Sequence, residues 1–595
     1  MLASATVGAE LRPHPGREER RPALGTDDLA RLPTVEEPLR DDAGRPTPEP
    51  KAARTYHFVK PTENVEELAY VEVRGETRAA DIASELGLLN EPKPHQSEGI
   101  AWMQRAYVTG MRGVLMADDM GLGKTFQVLA FLKWLRIRLA ASARSKPILV
   151  VAPKSLLGNW LDEVELHLGA GGLGTPLKLF GPGLRDMRLR SVARGRDIEL
   201  AVETLDTGRL READWILTTY ETLRDYQISL ARVDFEVVVF DEAQKIKESG
   251  AMVTQAARSQ KVASLRIVMT GTPVENGLMD LWTLMDVAWP GRLGYSQQRF
   301  RTDFVKGGGR DPAELRGILA EPANDNGTIL PPLMLRRLKD TVGGLPPKEF
   351  KTLTEPMPEV QAAAYTNAIE AQARGDMSAL VALQAIRNVS LHPDLQRRID
   401  FADERSVADF IAMSARMKLL FQILDVVRDR DEKALVFVDL RRAQAVVGEL
   451  VRHRYRLQHL PHVINGETTN ERRDVIRKGF QKRRGFEVLM LSPRAAGFGL
   501  TLHSANHVVH LNRWWNPAVE DQCTDRAHRI GQERDVTVWL PTAEHPTYGA
   551  NSYDLVLDRL LAEKRRVSRD VIVPVQFDAA ELAGFQGAVF ADDPI

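Results

Sequence analysis

Four short apolar runs constrain the first half of this chain more than any other feature: "GVLMAD", "ILVVAP", "EVVVFDEA" and "RIVMTGT". Each is apolar without alternation and ends in a small or polar loop. Such a run reads as a strand covered on both faces, as in a parallel sheet with helices on either side. A second series follows later in the chain: "KALVFVD", "VLMLSP" and "HVVHLN". Two separate series predict an α/β fold of two doubly wound parallel-sheet lobes, with ligands bound at the carboxyl ends of the strands. The length of 595 residues agrees, since domains commonly hold roughly 100–200 residues.

The texture along the chain sets the expected boundaries. Residues 1–55 are rich in Pro, Arg, Asp and Glu and poor in large apolar residues, and are expected to be disordered, available for a protein partner. Residues 56–345 are expected to form the first lobe, with a helical insertion at about 280–335. Residues 346–417 read as linker and helical protrusion, 418–542 as the second lobe, and 543–595 as a brace helix and tail. Cys523 is the only cysteine, which excludes a disulfide framework and a Cys-based zinc site. The amino terminus lacks a signal-peptide pattern, and the longest apolar runs fall far short of the roughly 20 residues that span a bilayer. A soluble cytoplasmic protein without a membrane partner is expected. The formal net charge is −1, so a nucleic-acid partner would be held by local patches rather than a global field.

Two elements carry chemistry. "DDMGLGKT" follows an apolar strand and opens an apolar helix, the context that a phosphate-binding loop requires. Asp119, Met120, Gly121, Leu122, Gly123, Lys124 and Thr125 form the candidate nucleotide cradle. The glycines free backbone N–H groups, Lys124 can reach the β and γ oxygens, and Thr125 offers a hydroxyl to Mg²⁺. The strict pattern has Gly where Asp118 stands. "VVVFDEAQ" then delivers Asp241 and Glu242 at a strand end, the paired carboxylates that a Mg²⁺–ATP site uses for the metal and the attacking water.

A third stretch is "RWWNPAVEDQCTDRAHRIGQ". Asn516 can cap a helix, Pro517 suits its first position, Glu520 and Asp521 its first turn, and Gly531 its stop. In such a helix Gln522, Arg526 and Arg529 share one face.

Together, "DDMGLGKT", "DEAQ", "MTGTPVEN" and this third stretch resemble the Swi/Snf-type DNA-dependent ATPases of helicase superfamily two, in order, from about Pro94 to Val573. The resemblance implies two RecA-like lobes that bind ATP and Mg²⁺ between them and grip double-stranded DNA across the same cleft. It implies that Gln96 contacts adenine, that Lys124 and Thr125 bind phosphates and Mg²⁺, that Asp241 holds the metal and that Glu242 is the general base. Gln522, Arg526 and Arg529 would enter from the second lobe, the arginines acting on the γ-phosphate. Thr270, Gly271 and Thr272 would couple the ATP site to DNA. Lys154, Trp160, Thr219, Tyr220, Thr270 and Arg494 would contact DNA, and Trp514 and Trp515 would join the ATP site to it. Arg336, Arg337 and Lys339 in "LRRLKD" look like the connector between lobes, as braces or as DNA contacts. Residues 471–485 hold seven Lys or Arg against two acids, a local basic footprint.

The chain departs from the family at Gln244, where His is common, and at Phe498 and Thr501, where polar Thr and Asn are usual. Neither change removes a catalytic group. The expected activity is ATP-driven translocation on double-stranded DNA that remodels or displaces protein–DNA complexes, cytoplasmic and nucleoid-associated in a bacterium, nuclear in a eukaryote. The resemblance is to compact bacterial members in DNA repair, transcription or phage defence. A strand-separating helicase and a nucleotide-gated DNA-binding scaffold are the alternative readings.

Overall fold

Two all-parallel sheets organise the chain, as the two apolar series require. The computed structural model describes residues 86–140, 146–189, 204–246, 251–274, 278–293, 296–305, 312–325, 327–343, 345–493, 500–570 and 579–590, all within one compact unit, Ala69–Ile595. The calls on residues 1–55, Arg494 and Phe498 lie outside the described residues.

The first sheet contains β1 (Gly113–Met116), β2 (Ile148–Val151), β3 (Pro176–Leu179), β4 (Trp215–Thr218), β5 (Asp234–Phe240), β6 (Lys261–Met269) and β7 (Met334–Leu335) in the order β7-β1-β6-β5-β2-β4-β3. The central strands β1 and β2 are buried at every position, which explains their unbroken apolar runs. The second sheet contains β8 (Lys348–Pro356), β9 (Lys433–Phe437), β10 (Val463–Ile464), β11 (Glu487–Leu491), β12 (His507–His510) and β13 (Val536–Glu544) in the order β8-β13-β12-β9-β11-β10. Among the described residues no helix is long and apolar enough to cross a membrane.

The sequence reading places the apolar strands correctly but misplaces one edge. β8 lies in the stretch assigned to linker, yet it pairs in parallel with β13 over its whole length. Its burial alternates between half-buried and exposed positions, so it carries none of the unbroken apolar signal by which the central strands are recognised. The residues after it are helical as expected, in Glu359–Ala373, Ala379–Leu391 and Glu404–Ala412.

Three helices position the chemistry of the first lobe. α1 (Pro94–Val108) is capped by a reciprocal pair of bonds between Lys93 and Gln96, α2 (Lys124–Leu139) opens directly from the glycine loop, and α3 (Leu157–Leu168) follows β2.

Candidate nucleotide site between the lobes

The loop between β1 and α2 is shaped by its glycines. Gly121 and Gly123 have φ of 86° and 76°, a region that side-chain-bearing residues rarely enter. A Cβ on Gly123 would lie 2.3 Å from Gln96 Nε2, and one on Gly121 would lie 2.8 Å from Arg529 Cβ of the second lobe. The loop is thus closely packed on both sides. Lys124 Nζ donates to the carbonyl oxygens of Asp118 (2.7 Å) and Asp119 (3.2 Å). Asp118, the departure from the strict motif, is fully buried and accepts from Arg337 N and Nε at 3.0 Å each. The carboxylate therefore ties the loop to the connector that follows β7.

Asp241 and Glu242 stand at the end of β5. Asp241 Oδ2 accepts from Trp160 Nε1 (2.9 Å), and its backbone carbonyl accepts from Tyr220 Oη (2.7 Å). Burial, reinforced by the neighbouring Glu242, pushes the Asp241 carboxyl up to about 7, against the Trp160 hydrogen bond and the Lys124 charge. Glu242 has φ of 49°, a left-handed backbone that costs about 1–3 kcal/mol for a non-glycine residue. It is held there by its N–H on Asp241 Oδ1 (2.9 Å) and by Gln244 Nε2 on its carboxylate (2.7 Å). Gln244 Oε1 accepts in turn from Thr270 Oγ1 (3.1 Å), and that hydroxyl accepts from Thr272 N (3.1 Å). The "DEAQ" glutamine thus links Glu242 to the "TGT" turn.

The second lobe supplies two arginines, but not as one helix face. The helix ends at Thr524 rather than at Gly531. A continuing helix would bond Arg526 O to Ile530 N; instead Arg526 O accepts from Leu502 N (2.9 Å), and Ile530 N points to Gly121 O (3.5 Å) across the cleft. Asp525 is paired with Lys339 Nζ (2.5 Å). Long-range partners thus win over helix continuation, so Gln522 stays on the helix, half-buried and away from the cleft, while Arg526 and Arg529 reach it on a turn.

One cleft gathers Met120, Gly121, Gly123, Lys124, Thr125, Asp241, Glu242, Arg526 and Arg529. Burial lowers both arginine pKa values; Glu242 opposes this at Arg526, while Arg526 itself lowers Arg529 further and Glu163 and Glu242 oppose it. Arg526 Nε is a buried donor with no hydrogen-bond partner among the described residues. The donor set suits a polyphosphate: glycine-loop N–H groups, an ammonium and two guanidiniums on one side, and the oxygen donors Thr125, Asp241 and Glu242 on the other. Sequence reading missed Asn159, Glu163 and Asp525, which also line the cleft. Asn159 and Glu163 belong to "NWLDE" on α3, where Asn159 Nδ2 donates to Glu163 Oε1 (2.8 Å).

Several expected contacts lie elsewhere. Leu122 is buried, and its carbonyl accepts from Gln96 Nε2 (3.3 Å), so these two support the loop from behind rather than line the cleft. Trp160, Tyr220 and Thr270 are 1%, 2% and 0% exposed. Their polar atoms face Asp241 and Gln244 rather than an open surface on which DNA was expected to lie. Thr219 is buried as the cap of the helix Tyr220–Asp225, accepting from Thr222 N. Trp515 packs edge-on against Phe585 (4.8 Å) and Tyr553 (5.9 Å) within an apolar cluster. Trp514 is half-buried under the Arg387 guanidinium (5.8 Å). Lys154 alone of the described DNA candidates is exposed. In the basic run, Arg473 is buried and donates to Asn465 O (2.9 Å), and Arg477 bridges to Asp162 of α3 (3.7 Å). Arg472, Lys478, Lys482, Arg483 and Arg484 are exposed, Lys478 being paired with Asp474 and Arg483 with Glu487.

Comparison with known proteins identifies the family. Residues 95–401 match the model of the SNF2-related domain and residues 415–531 that of the helicase conserved C-terminal domain. The chain is 34% identical over 559 residues to Zorya protein ZorD of Escherichia coli, covering 88% of this chain and 49% of that protein. It is 30% identical over 495 residues to the putative ATP-dependent helicase/translocase YwqA of Bacillus subtilis, covering 81% and 48%. The chain therefore spans about half the length of the curated relatives it matches. Among solved structures, the Sulfolobus solfataricus SWI2/SNF2 ATPase core in complex with dsDNA aligns at 27% identity and a TM-score of 0.38, covering 82% of this chain and 95% of that one.

Proposed function

Given that the chain belongs to the SNF2-related family of helicase-like ATPases, we propose that it is a DNA-stimulated ATPase that moves along double-stranded DNA and displaces or remodels the proteins bound to it. One observation carries this reading: Lys124 and the Asp241–Glu242 pair of one lobe share a cleft with Arg526 and Arg529 of the other. Closure of the lobes on a nucleotide would set all five groups around one phosphate chain, so hydrolysis and lobe movement become a single event.

In this reading Lys124 and the loop N–H groups bind the β and γ phosphates, and Thr125 and Asp241 hold Mg²⁺. The metal, when bound with ATP, supplies charge neutralisation at the phosphate oxygens. The raised affinity of Asp241 for a proton marks a buried carboxylate that a cation would relieve. Glu242, oriented by Gln244, takes the proton of the attacking water. Arg526 and Arg529 stabilise the charge that spreads over the γ-phosphoryl oxygens, a contribution of about 10³–10⁵ in rate where one arginine supplies it. Gln244 and Thr270 relay the state of Glu242 to the turn that carries Gly271 and Thr272. Lys154, Arg472, Lys482 and Arg484 are the exposed cations proposed to meet duplex phosphates, which implies contacts that position rather than read sequence.

The test is steady-state ATP hydrolysis with and without duplex DNA. Duplex should stimulate turnover, Lys124→Ala should abolish it, and Arg529→Ala should abolish it while nucleotide binding persists. Normal hydrolysis by Arg529→Ala would sink the reading. Displacement of a third strand from a duplex, without separation of the duplex itself, separates translocation from unwinding.

A further inference from the structure

We propose that Lys339, in the connector after β7, is a positioning residue that sets the arginine-bearing turn of the second lobe against the phosphate loop of the first. The proposal rests on the reading above, in which Arg526 and Arg529 act at the phosphates.

The backbone of Lys339 is clamped to the first lobe. β7 pairs with β1, the strand that leads into the phosphate loop. Asp119 N donates to Arg337 O (3.0 Å), and Lys339 N donates to Asp119 Oδ2 (3.1 Å). Its side chain runs the other way. Lys339 Nζ donates to His528 O (2.8 Å) and pairs with Asp525 Oδ1 (2.5 Å). Asp525 precedes Arg526 and His528 precedes Arg529, so the ammonium holds the turn beside both arginines. The stem packs where the lobes touch: a Cβ built on Gly121 would lie 3.3 Å from Lys339 Cε and 2.8 Å from Arg529 Cβ.

A general brace would not need a charge there. The Lys339 side chain is 3% exposed, and a buried ion pair is often replaceable by apolar packing without loss of stability. A charge is suited to fixing register, because it is satisfied only when Asp525 and the His528 carbonyl converge on one point. Burial brings the Lys339 pKa down to about 8 despite the opposing Asp525 charge, so the ammonium depends on its partners being in place. Lys339 does not line the cleft. Its loss should therefore act through the arginines, on turnover rather than on nucleotide affinity.

The experiment measures kcat and KM for ATP at saturating duplex, affinity for a fluorescent ATP analogue, and thermal unfolding, for Lys339→Met, Asp525→Asn, their double variant and Arg529→Ala. A 1 Å misplacement of a catalytic group can cost about 10²-fold in rate. A 10- to 100-fold fall in kcat is expected for Lys339→Met and for Asp525→Asn, with analogue affinity of Lys339→Met within about threefold and a double variant no worse than the singles. Turnover within twofold of the parent in folded Lys339→Met overturns the proposal, and so does a loss of analogue affinity as large as the loss of kcat. If Lys339→Met does not fold, Lys339→Gln decides by the same two criteria. Should Arg529→Ala itself turn over normally, the reading of the site fails instead, and the two failures are distinct.

Discussion

Replacing Trp160 with Phe separates the buried geometry from the family-based expectation. The indole is 1% exposed, and its Nε1 donates to Asp241 Oδ2 at 2.9 Å. Phe fills most of the space but removes the donor, so the buried carboxylate loses one hydrogen bond. Hydrogen bonds to charged groups contribute about 1.5–3 kcal/mol. If that loss appears in the transition state, turnover falls roughly 10- to 150-fold at about 1.4 kcal/mol per decade. The assay is ATP hydrolysis with and without duplex, alongside duplex affinity by fluorescence anisotropy over a salt series. Turnover should fall in both conditions, with duplex affinity and its salt slope unchanged. The opposite pattern, weakened duplex binding with intact DNA-independent hydrolysis, would refute the argument, because it would mean that the indole meets DNA.

Two further perturbations test the second lobe. Glu520 is 1% exposed and accepts from Arg513 Nε (2.9 Å), Trp514 N (2.8 Å) and Arg565 Nη2 (2.8 Å); Glu520→Gln should cost about 3–5 kcal/mol in denaturant unfolding by leaving Arg513 under-compensated, whereas the half-exposed Asp521→Asn should cost about 1 kcal/mol or less. Burial pushes His510 from 6.5 down to about 4, so below pH 6.5 the unfolded chain takes up a proton that the folded chain refuses until about pH 4. Stability should fall with pH across that window by at most about 3 kcal/mol from this group, and His510→Asn should flatten the fall in pH-dependent denaturation curves.

Much of the architecture was legible because it is written locally. Unbroken apolar runs announced β1, β2, β5, β6, β9, β11 and β12, and the glycine loop, "DEAQ" and the arginines of "DRAHRIGQ" were recognisable as contiguous words. β8 escaped because an edge strand with one exposed face carries no such run. The burial of Trp160 and Tyr220 was not legible for a related reason: a motif says which residues belong together, not which way each side chain turns. Their hydrogen bonds reach residues 81 and 21 positions away, and no periodicity reports a partner at that distance.

The ends of elements depended most on tertiary structure. Capping signals around Asn516 placed the start of the helix correctly, since the Asn516 side chain accepts from Ala518 N. The same local logic carried the helix on to Gly531, because nothing nearby opposes it. Lys339, Gly121 and Leu502, all distant in sequence, compete for Asp525, Ile530 N and Arg526 O, and they end it at Thr524. Local sequence thus specified which groups could serve a phosphate site. Burial between the lobes, where a long-range hydrogen bond faces no competition from water, decided how they are aimed.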